Sequence, residues 1–130
     1  MIIDASALLA ILLREEEEEI FLSFIEKDSH SMMSVASYLE IAIRINCLHK
    51  GEILSLVDEM IEALDITLKP VSVEQVMIAK KAHQKFGKGM GHAAQLNFGD
   101  CFTYALAKDM NMPLLFKGDD FTHTDLMLVA

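Results

Sequence analysis

Four acidic side chains stand far apart in this 130-residue chain, each beside an apolar segment. Asp4 ends "MIID", Glu40 lies inside "SYLEIAIR", and Asp100 opens "DCFTYALAKDMN". Asp119 and its neighbour Asp120 follow "MPLLF". Carboxylates that share one pocket repel each other unless a cation neutralises them. All-oxygen ligands with no Cys or His beside them select a hard ion, so the pattern predicts a site for Mg²⁺ or Mn²⁺.

Each of these acids also has an ordinary structural explanation. Glu40 has Arg44 four residues later, which is the spacing of an ion pair along a helix. Asp100 follows Gly99 and suits a helix cap, while Asp119 suits a turn. The metal hypothesis depends on all four acids meeting at one place.

The elements that must position these acids are strands alternating with helices, joined by short connections. Apolar runs predict strands in "MIID", "HSMMS", "ITLKPVS", "PLLF" and, at the end, "LMLV". Helical periodicity predicts helices in "ASALLAILL", "REEEEEIFLSFIEKD", "SVASYLEIAIRINCLHKG", "EILSLVDEMIEALD", "VEQVMIAKKAHQKFG" and "DCFTYALAKDMN". This alternation indicates one α/β domain, residues 1–130, with a parallel sheet. Ligand sites in such sheets form at the carboxyl ends of the strands, where Asp4 and Asp119 are expected.

Composition narrows the possible functions. The net charge of −9 argues against a protein that coats nucleic acid through a general positive field. No apolar run reaches the roughly 18 residues of a membrane span, so no membrane partner is expected. The two cysteines, Cys47 and Cys101, match no zinc pattern and suggest buried free thiols in a reducing cytoplasm.

Taken together, the motifs resemble those of PIN-domain ribonucleases, specifically the VapC-like toxins of toxin–antitoxin modules. The resemblance covers nearly the whole chain and rests on "IIDASALLAIL", "SYLEIAIR" and "GHAAQLNFGDCFTYALAKDMNMPLLFKGDDFTHTDL". It implies an α/β/α sandwich with a central parallel sheet. The positions that match the family's acids are Asp4, Glu40, Asp100 and Asp119. Ser6 and Asn97 also match recurrent family residues, Ser6 as a support of the metal site.

The last acid departs from the family pattern. Many members carry T-x-D-x-x-F, and alignment on Phe121 places that aspartate on Gly118 of "FKGDDF". Asp119 is therefore the predicted fourth acid, with Asp120 as a substitute and Asp125 as a weaker one.

The resemblance implies an endoribonuclease that uses Mg²⁺ or Mn²⁺ to activate water against RNA phosphodiesters, leaving a 5′-phosphate. In this interpretation Asp4, Asp100 and Asp119 hold the metal, and Glu40 is a further ligand or orients the water. The implied partners are RNA, a VapB-like antitoxin and a second copy of the chain, giving a homodimer and a heterotetramer or larger assembly with antitoxin. The segments "IFLSFI" and "LVDEMIEAL" are candidate surfaces for those protein partners. A basic rim for RNA is predicted at four lysines, Lys80, Lys81, Lys85 and Lys88.

Three other functions remain as alternatives. A HAD-like phosphatase is suggested by "GDDFTHTD", but it needs a second acid where Ser6 stands. A receiver-type signalling domain needs paired acids after the first strand, and here the pair comes late. A non-catalytic binding module with the same fold is disfavoured because all the acids are retained.

Overall fold

Four parallel strands form the centre of the molecule in the computed structural model, which describes residues 1–129. The order across the sheet is β3-β2-β1-β4. The strands are β1 (Ile2–Ile3), β2 (Met32–Ser34), β3 (Thr67–Lys69) and β4 (Leu114–Leu115). The chain moves from β1 to β2 to β3 in one direction and then returns to place β4 on the other side of β1. The strand order therefore reverses between β1 and β4, which is where open α/β sheets bind ligands.

Helices cover both faces of this sheet, as predicted for an α/β/α sandwich. They are α1 (Ala5–Leu12), α2 (Glu18–Lys27), α3 (Val35–Cys47), α4 (Leu54–Ala63), α5 (Val73–Phe86) and α6 (Phe98–Met110). Successive strand residues point to opposite faces. Ile3 and Leu115 pack in a core with α1 to α4, whereas Ile2 and Leu114 pack in a second core with α5 and α6.

Besides Ser72, which caps α5, three further helix starts carry side-chain caps. Asp4 caps α1, Ser34 caps α3, and Asn97 caps α6. Helix α6 therefore begins at Phe98, and Asp100 occupies its first turn rather than the cap position. The prediction that Asp100 opens the helix was wrong by two residues, because the Asn97 side chain satisfies the first free N–H groups.

Several other expectations differ from the structure. The predicted final strand "LMLV" is reduced to one bridge between Leu128 and Leu114. Cys47 is exposed, although Cys101 is buried as expected. The apolar stripes of "IFLSFI" and "LVDEMIEAL" serve largely as core, because Phe21, Ile25, Val57 and Ile61 are buried. Within residues 1–129, no helix combines the length and apolar character needed to cross a membrane.

Candidate active site

A cavity of about 640 Å³ opens at the carboxyl edge of the sheet, beside the ends of β1 and β4. The reversal of strand order produces this crevice, since the connections after β1 and β4 leave in different directions. Its acidic lining residues are Asp4, Glu15, Glu40, Asp100 and Asp120. Three of the four predicted acids therefore meet at one place, although they are far apart in the sequence.

Asp4 is 5% exposed and is held by hydrogen bonds at both carboxylate oxygens. Oδ2 accepts from the Ser6 hydroxyl at 2.6 Å and from the Ser6 backbone N–H at 3.1 Å. Oδ1 accepts from the Thr103 hydroxyl at 2.6 Å. A carboxylate has about four lone-pair sites, so one remains for a further partner. The Asp4 carboxylate is thus fixed in orientation before any ligand arrives.

Ser6 also connects Asp4 to the segment that follows β4. Its hydroxyl oxygen accepts from the Lys117 backbone N–H at 2.9 Å while its proton is donated to Asp4. The two strand ends that form the crevice are therefore joined through one side chain. This geometry explains why a Ser at position 6 accompanies the acid at position 4.

Asp100 is 7% exposed and forms a reciprocal capping box with Asn97. The Asn97 N–H donates to Asp100 Oδ2 at 3.1 Å, and the Asp100 N–H donates to Asn97 Oδ1 at 2.9 Å. Burial raises the pKa of Asp100, the Asn97 N–H bond lowers it in part, and the nearby Asp4 and Asp120 carboxylates add to the rise, so that it reaches about 8. Asp100 is consequently a carboxyl group whose charge is poorly compensated by the protein itself.

The acid of the last segment that lines the cavity is Asp120, whereas the predicted Asp119 does not line it. Gly118 adopts a positive φ of 102°, and a turn follows in which the Thr122 N–H donates to the Asp119 carbonyl at 3.1 Å. Phe121 is buried against Phe116, and Asp120 lines the cavity near Asp100. Asp119 and Asp120 are both exposed, but only Asp120 is among the cavity's lining residues, so the role of the fourth acid stays a prediction for which the geometry favours the substitute, Asp120.

Glu40 reaches the cavity from α3 because residue 99 is glycine. A Cβ on Gly99 would lie 2.7 Å from Glu40 Oε1 and 2.8 Å from Oε2, which is closer than contact allows. Burial raises the pKa of Glu40, and the Asp4 charge raises it further. Arg44 forms no ion pair with Glu40 or any other carboxylate within residues 1–129. The simple explanation of Glu40 as a helix-surface ion pair therefore fails.

Two basic side chains, Arg44 and Lys117, line the same cavity. The Lys117 ammonium lies 3.3 Å from a carboxylate oxygen of Glu15 and 3.3 Å from one of Glu17. The four lysines of the predicted basic rim are not among the cavity's lining residues. Lys80 instead contributes to a separate, more apolar depression of about 400 Å³ beside α5 and α6.

The donor set suits a divalent cation in chemical type and charge. Carboxylate oxygens are the ligands preferred by Mg²⁺ and Mn²⁺, and a cation would remove the repulsion that raises the pKa of Asp100. No three His, Cys, Asp and Glu side chains of residues 1–129 stand close enough to hold one ion in their present positions. The carboxylates must therefore draw together to bind it, and their mutual repulsion is a physical reason for the present spacing.

Reasoning from the sequence missed three residues that position the acids. Thr103 donates to Asp4, Ser37 lies 3.0 Å from the Thr103 hydroxyl, and Gly99 makes room for Glu40. A helical signal was present, because Thr103 follows Asp100 by three residues and Ser37 precedes Glu40 by three. Thr103 and Ser37 therefore each share a helix face with a predicted acid.

Comparison of the sequence with known proteins identifies its family. A family model described as the PIN domain matches residues 1–126. Ribonuclease VapC30 of Mycobacterium tuberculosis is 43% identical over 130 residues, which cover 100% of this chain and 98% of the relative. Ribonuclease VapC28 of the same species is 42% identical over 124 residues, covering 95% of this chain and 93% of the relative.

Solved structures show the same fold at lower identity. VapC20 of Mycobacterium tuberculosis, described as a Sarcin-Ricin loop cleaving toxin, superposes with a TM-score of 0.80 at 12% identity, covering 98% of this chain and 97% of that one. VapBC2 of Rickettsia felis, bound to a promoter DNA fragment, gives 0.75 at 10% identity, covering 98% and 94%. The HAD-like and receiver-type alternatives find no support in these matches. The chain belongs to the PIN-domain family and, within it, to the group of the VapC ribonucleases.

Proposed function

We propose that this chain is a divalent-metal-dependent endoribonuclease, the toxin of a VapBC-like module. The observation that carries the proposal is the convergence of Asp4, Glu40, Asp100 and Asp120 on one cavity at the sheet's point of reversal. The names of relatives at about 40% identity support RNA as the substrate. We place Asp120 in the role that the sequence suggested for Asp119.

In this proposal Asp4, Asp100 and Asp120 hold the cation, Mg²⁺ or Mn²⁺. When bound, it supplies charge neutralisation at the phosphoryl oxygens and acidification of water. Asp4 acts in one fixed orientation because Ser6 and Thr103 hold both of its oxygens. Asp100 gives up the proton that its raised pKa retains when it becomes a ligand.

Glu40 serves as the proton acceptor for the attacking water. Its raised pKa moves it toward the working pH, which is the condition for an effective general base. It comes from α3, whereas Asp120 comes from the segment after β4. No Ser–His or Cys–His nucleophile is needed for this chemistry.

An antitoxin partner follows from the same assignment, and a VapBC complex shares the fold. Helix α3 exposes an apolar stripe at Val35, Leu39 and Ile43, spaced four residues apart. Leu39 is 58% exposed, and Ile43 lines the cavity. We propose that an apolar antitoxin segment lies along this stripe and so covers the cavity mouth.

The test is cleavage of RNA by the purified chain with Mg²⁺, with Mn²⁺ and with EDTA. We expect cleavage only with a divalent ion, fragments that carry 5′-phosphates, and loss of both in Asp4→Asn. The variant retains the shape of Asp4 and one of its two accepting oxygens, so its thermal unfolding serves as the control for folding. Cleavage that persists in EDTA and in Asp4→Asn overturns the proposal. Intact RNA under all conditions, with RNA still bound, favours the non-catalytic module.

A further inference from the structure

Lys117 occupies an unusual position for a surface lysine beside a cluster of carboxylates. Its ammonium lies at equal distances of 3.3 Å from Glu15 and Glu17, which belong to the connection between α1 and α2. Both Lys117 and Glu15 line the acidic cavity. The ammonium is therefore held at the cavity mouth by two glutamates and does not sit among Asp4, Asp100 and Asp120.

The pairing with Glu17 is imperfect. Glu17 Oε1 is buried and receives no hydrogen bond of regular geometry within residues 1–129, so the Coulombic attraction of Lys117 is its compensation. Ion pairs near the surface contribute little to stability because water screens them. A phosphate group, which offers short charge-assisted hydrogen bonds, is a strong competitor for such an ammonium.

The charge of the cavity makes this competition relevant to substrate binding. Five acids and only two basic side chains, Arg44 and Lys117, line it. An RNA phosphate that approaches the carboxylates needs a positive contact next to them, and Lys117 is joined to the site through its own backbone bond to Ser6.

We propose that Lys117 is a substrate-binding cation of this site and that Glu15 and Glu17 compete with the RNA phosphate for it. This inference rests on the proposed ribonuclease function. On binding, the ammonium leaves the two glutamates and contacts a phosphate that flanks the scissile bond. Glu15 and Glu17 thereby lower RNA affinity in exchange for keeping Lys117 out of the carboxylate cluster.

Lys108 provides a matched control. It also forms an ion pair, at 3.1 Å from Asp125, and its side chain is 41% exposed against 36% for Lys117. It lies outside the cavity lining. Substitution of either lysine removes one positive charge, together with two ion pairs at Lys117 and one at Lys108. In Lys117→Met the backbone N–H that supports Ser6 is retained.

The experiment measures binding of a fluorescent single-stranded oligoribonucleotide to Asp4→Asn protein at several KCl concentrations. With Lys117→Met added, we expect roughly tenfold weaker binding, as for loss of one charged hydrogen bond. The slope of log K against log salt should fall by about 0.7, the value for one phosphate contact in a single strand. Lys117→Arg should restore most of the affinity, and Lys108→Met should change neither quantity.

A second comparison tests the competition itself. The double substitution Glu15→Gln with Glu17→Gln should tighten RNA binding severalfold when Lys117 is present, and much less in Lys117→Met. An equal gain in both backgrounds, or identical slopes for Lys117→Met and Lys108→Met, overturns this inference alone. If the Asp4→Asn protein binds no RNA with or without the Lys117 side chain, and the wild-type chain cleaves no RNA, the proposed function is overturned as well.

Discussion

Two acids of the cavity, Asp4 and Asp100, are held in opposite ways. We call Asp4 with its donors Ser6 and Thr103 the first wall, and Asp100 with Asn97 and Asp120 the second wall. On one wall Asp4 receives three hydrogen bonds, from the Ser6 hydroxyl, the Ser6 N–H and the Thr103 hydroxyl. On the other wall Asp100 has one backbone bond and the neighbouring charges of Asp4 and Asp120, and its pKa rises to about 8. One wall is organised by the protein alone, whereas the other has a carboxyl group whose ionised form the protein does not stabilise. The comparison indicates where a cation contributes its stabilisation.

The largest expected effect separates the adjacent acids on the second wall. Asp120→Asn should reduce cleavage by roughly 10²–10³-fold, the size seen when one electrostatic contact to a transition state is lost. Asp119→Asn should leave the rate within about a factor of two, because Asp119 lies outside the cavity lining. Single-turnover cleavage at saturating Mn²⁺ measures both. Equal loss in the two variants contradicts the assignment of Asp120.

Next in size is the effect of filling the space beside Glu40. Gly99→Ala places a Cβ where the Glu40 carboxylate stands and should displace it, lowering the cleavage rate by roughly 10–100-fold, as supporting residues of metal sites do. Stability should not fall, since Ala is favoured over Gly in a helix by about 1 kcal/mol and the clash is with a flexible side-chain end.

Gly51→Ala is the control for Gly99→Ala, because a Cβ there meets nothing within 4 Å. It should leave cleavage unchanged. A Gly99→Ala protein that cleaves like Gly51→Ala shows that the position of the Glu40 carboxylate is not important for the reaction.

A smaller change weakens the organised wall. Thr103→Val keeps the volume of the side chain but removes the hydroxyl that donates to Asp4 Oδ1. We expect about tenfold lower affinity for Mn²⁺, within the range seen when a side chain that hydrogen-bonds to a metal ligand is removed. The free energy of unfolding should fall by about 1–3 kcal/mol because a buried acceptor loses its donor. Thr103→Ser should restore both, measured by calorimetric titration and chemical denaturation.

Features of the site that depend on local sequence patterns could be predicted, whereas features that depend on contacts between distant segments could not. Asp4, Glu40 and Asp100 could be assigned because strand ends and helix periodicity place them, and the resemblance to PIN domains placed them in the same way. The sequence could not separate Asp119 from its substitute Asp120, because the two are neighbours in a turn that follows the positive φ of Gly118. That angle leaves little trace in the pattern of apolar residues.

Contacts between distant elements were the least predictable from sequence. The bond from Thr103 to Asp4 joins residues 99 positions apart, and the pairing of Lys117 with Glu15 joins the segment after β4 to the connection between α1 and α2. The run Glu15–Glu19 reads locally as a solvated helix start. The parallel pairing of β1 with β4 brings the segment after β4 close to Glu15, which lines the cavity.

The smallest expected effect concerns stability and pH, and it tests the second wall directly. Because the pKa of Asp100 is raised from 3.8 to about 8 and that of Glu40 is also raised, the folded chain binds more protons than the unfolded chain between these values. The contribution of these two carboxyl groups to the free energy of unfolding is fully present below about pH 4 and is lost as the pH rises towards 8. Metal-free protein should therefore show a lower free energy of unfolding at pH 8 than at pH 5.5, measured by denaturant titration. In Asp100→Asn this difference should shrink, since the amide does not ionise, whereas saturating Mn²⁺ should offset it in the wild-type chain. If the pH dependence is the same with and without the Asp100 carboxyl, the uncompensated charge lies elsewhere and the two walls do not differ as described.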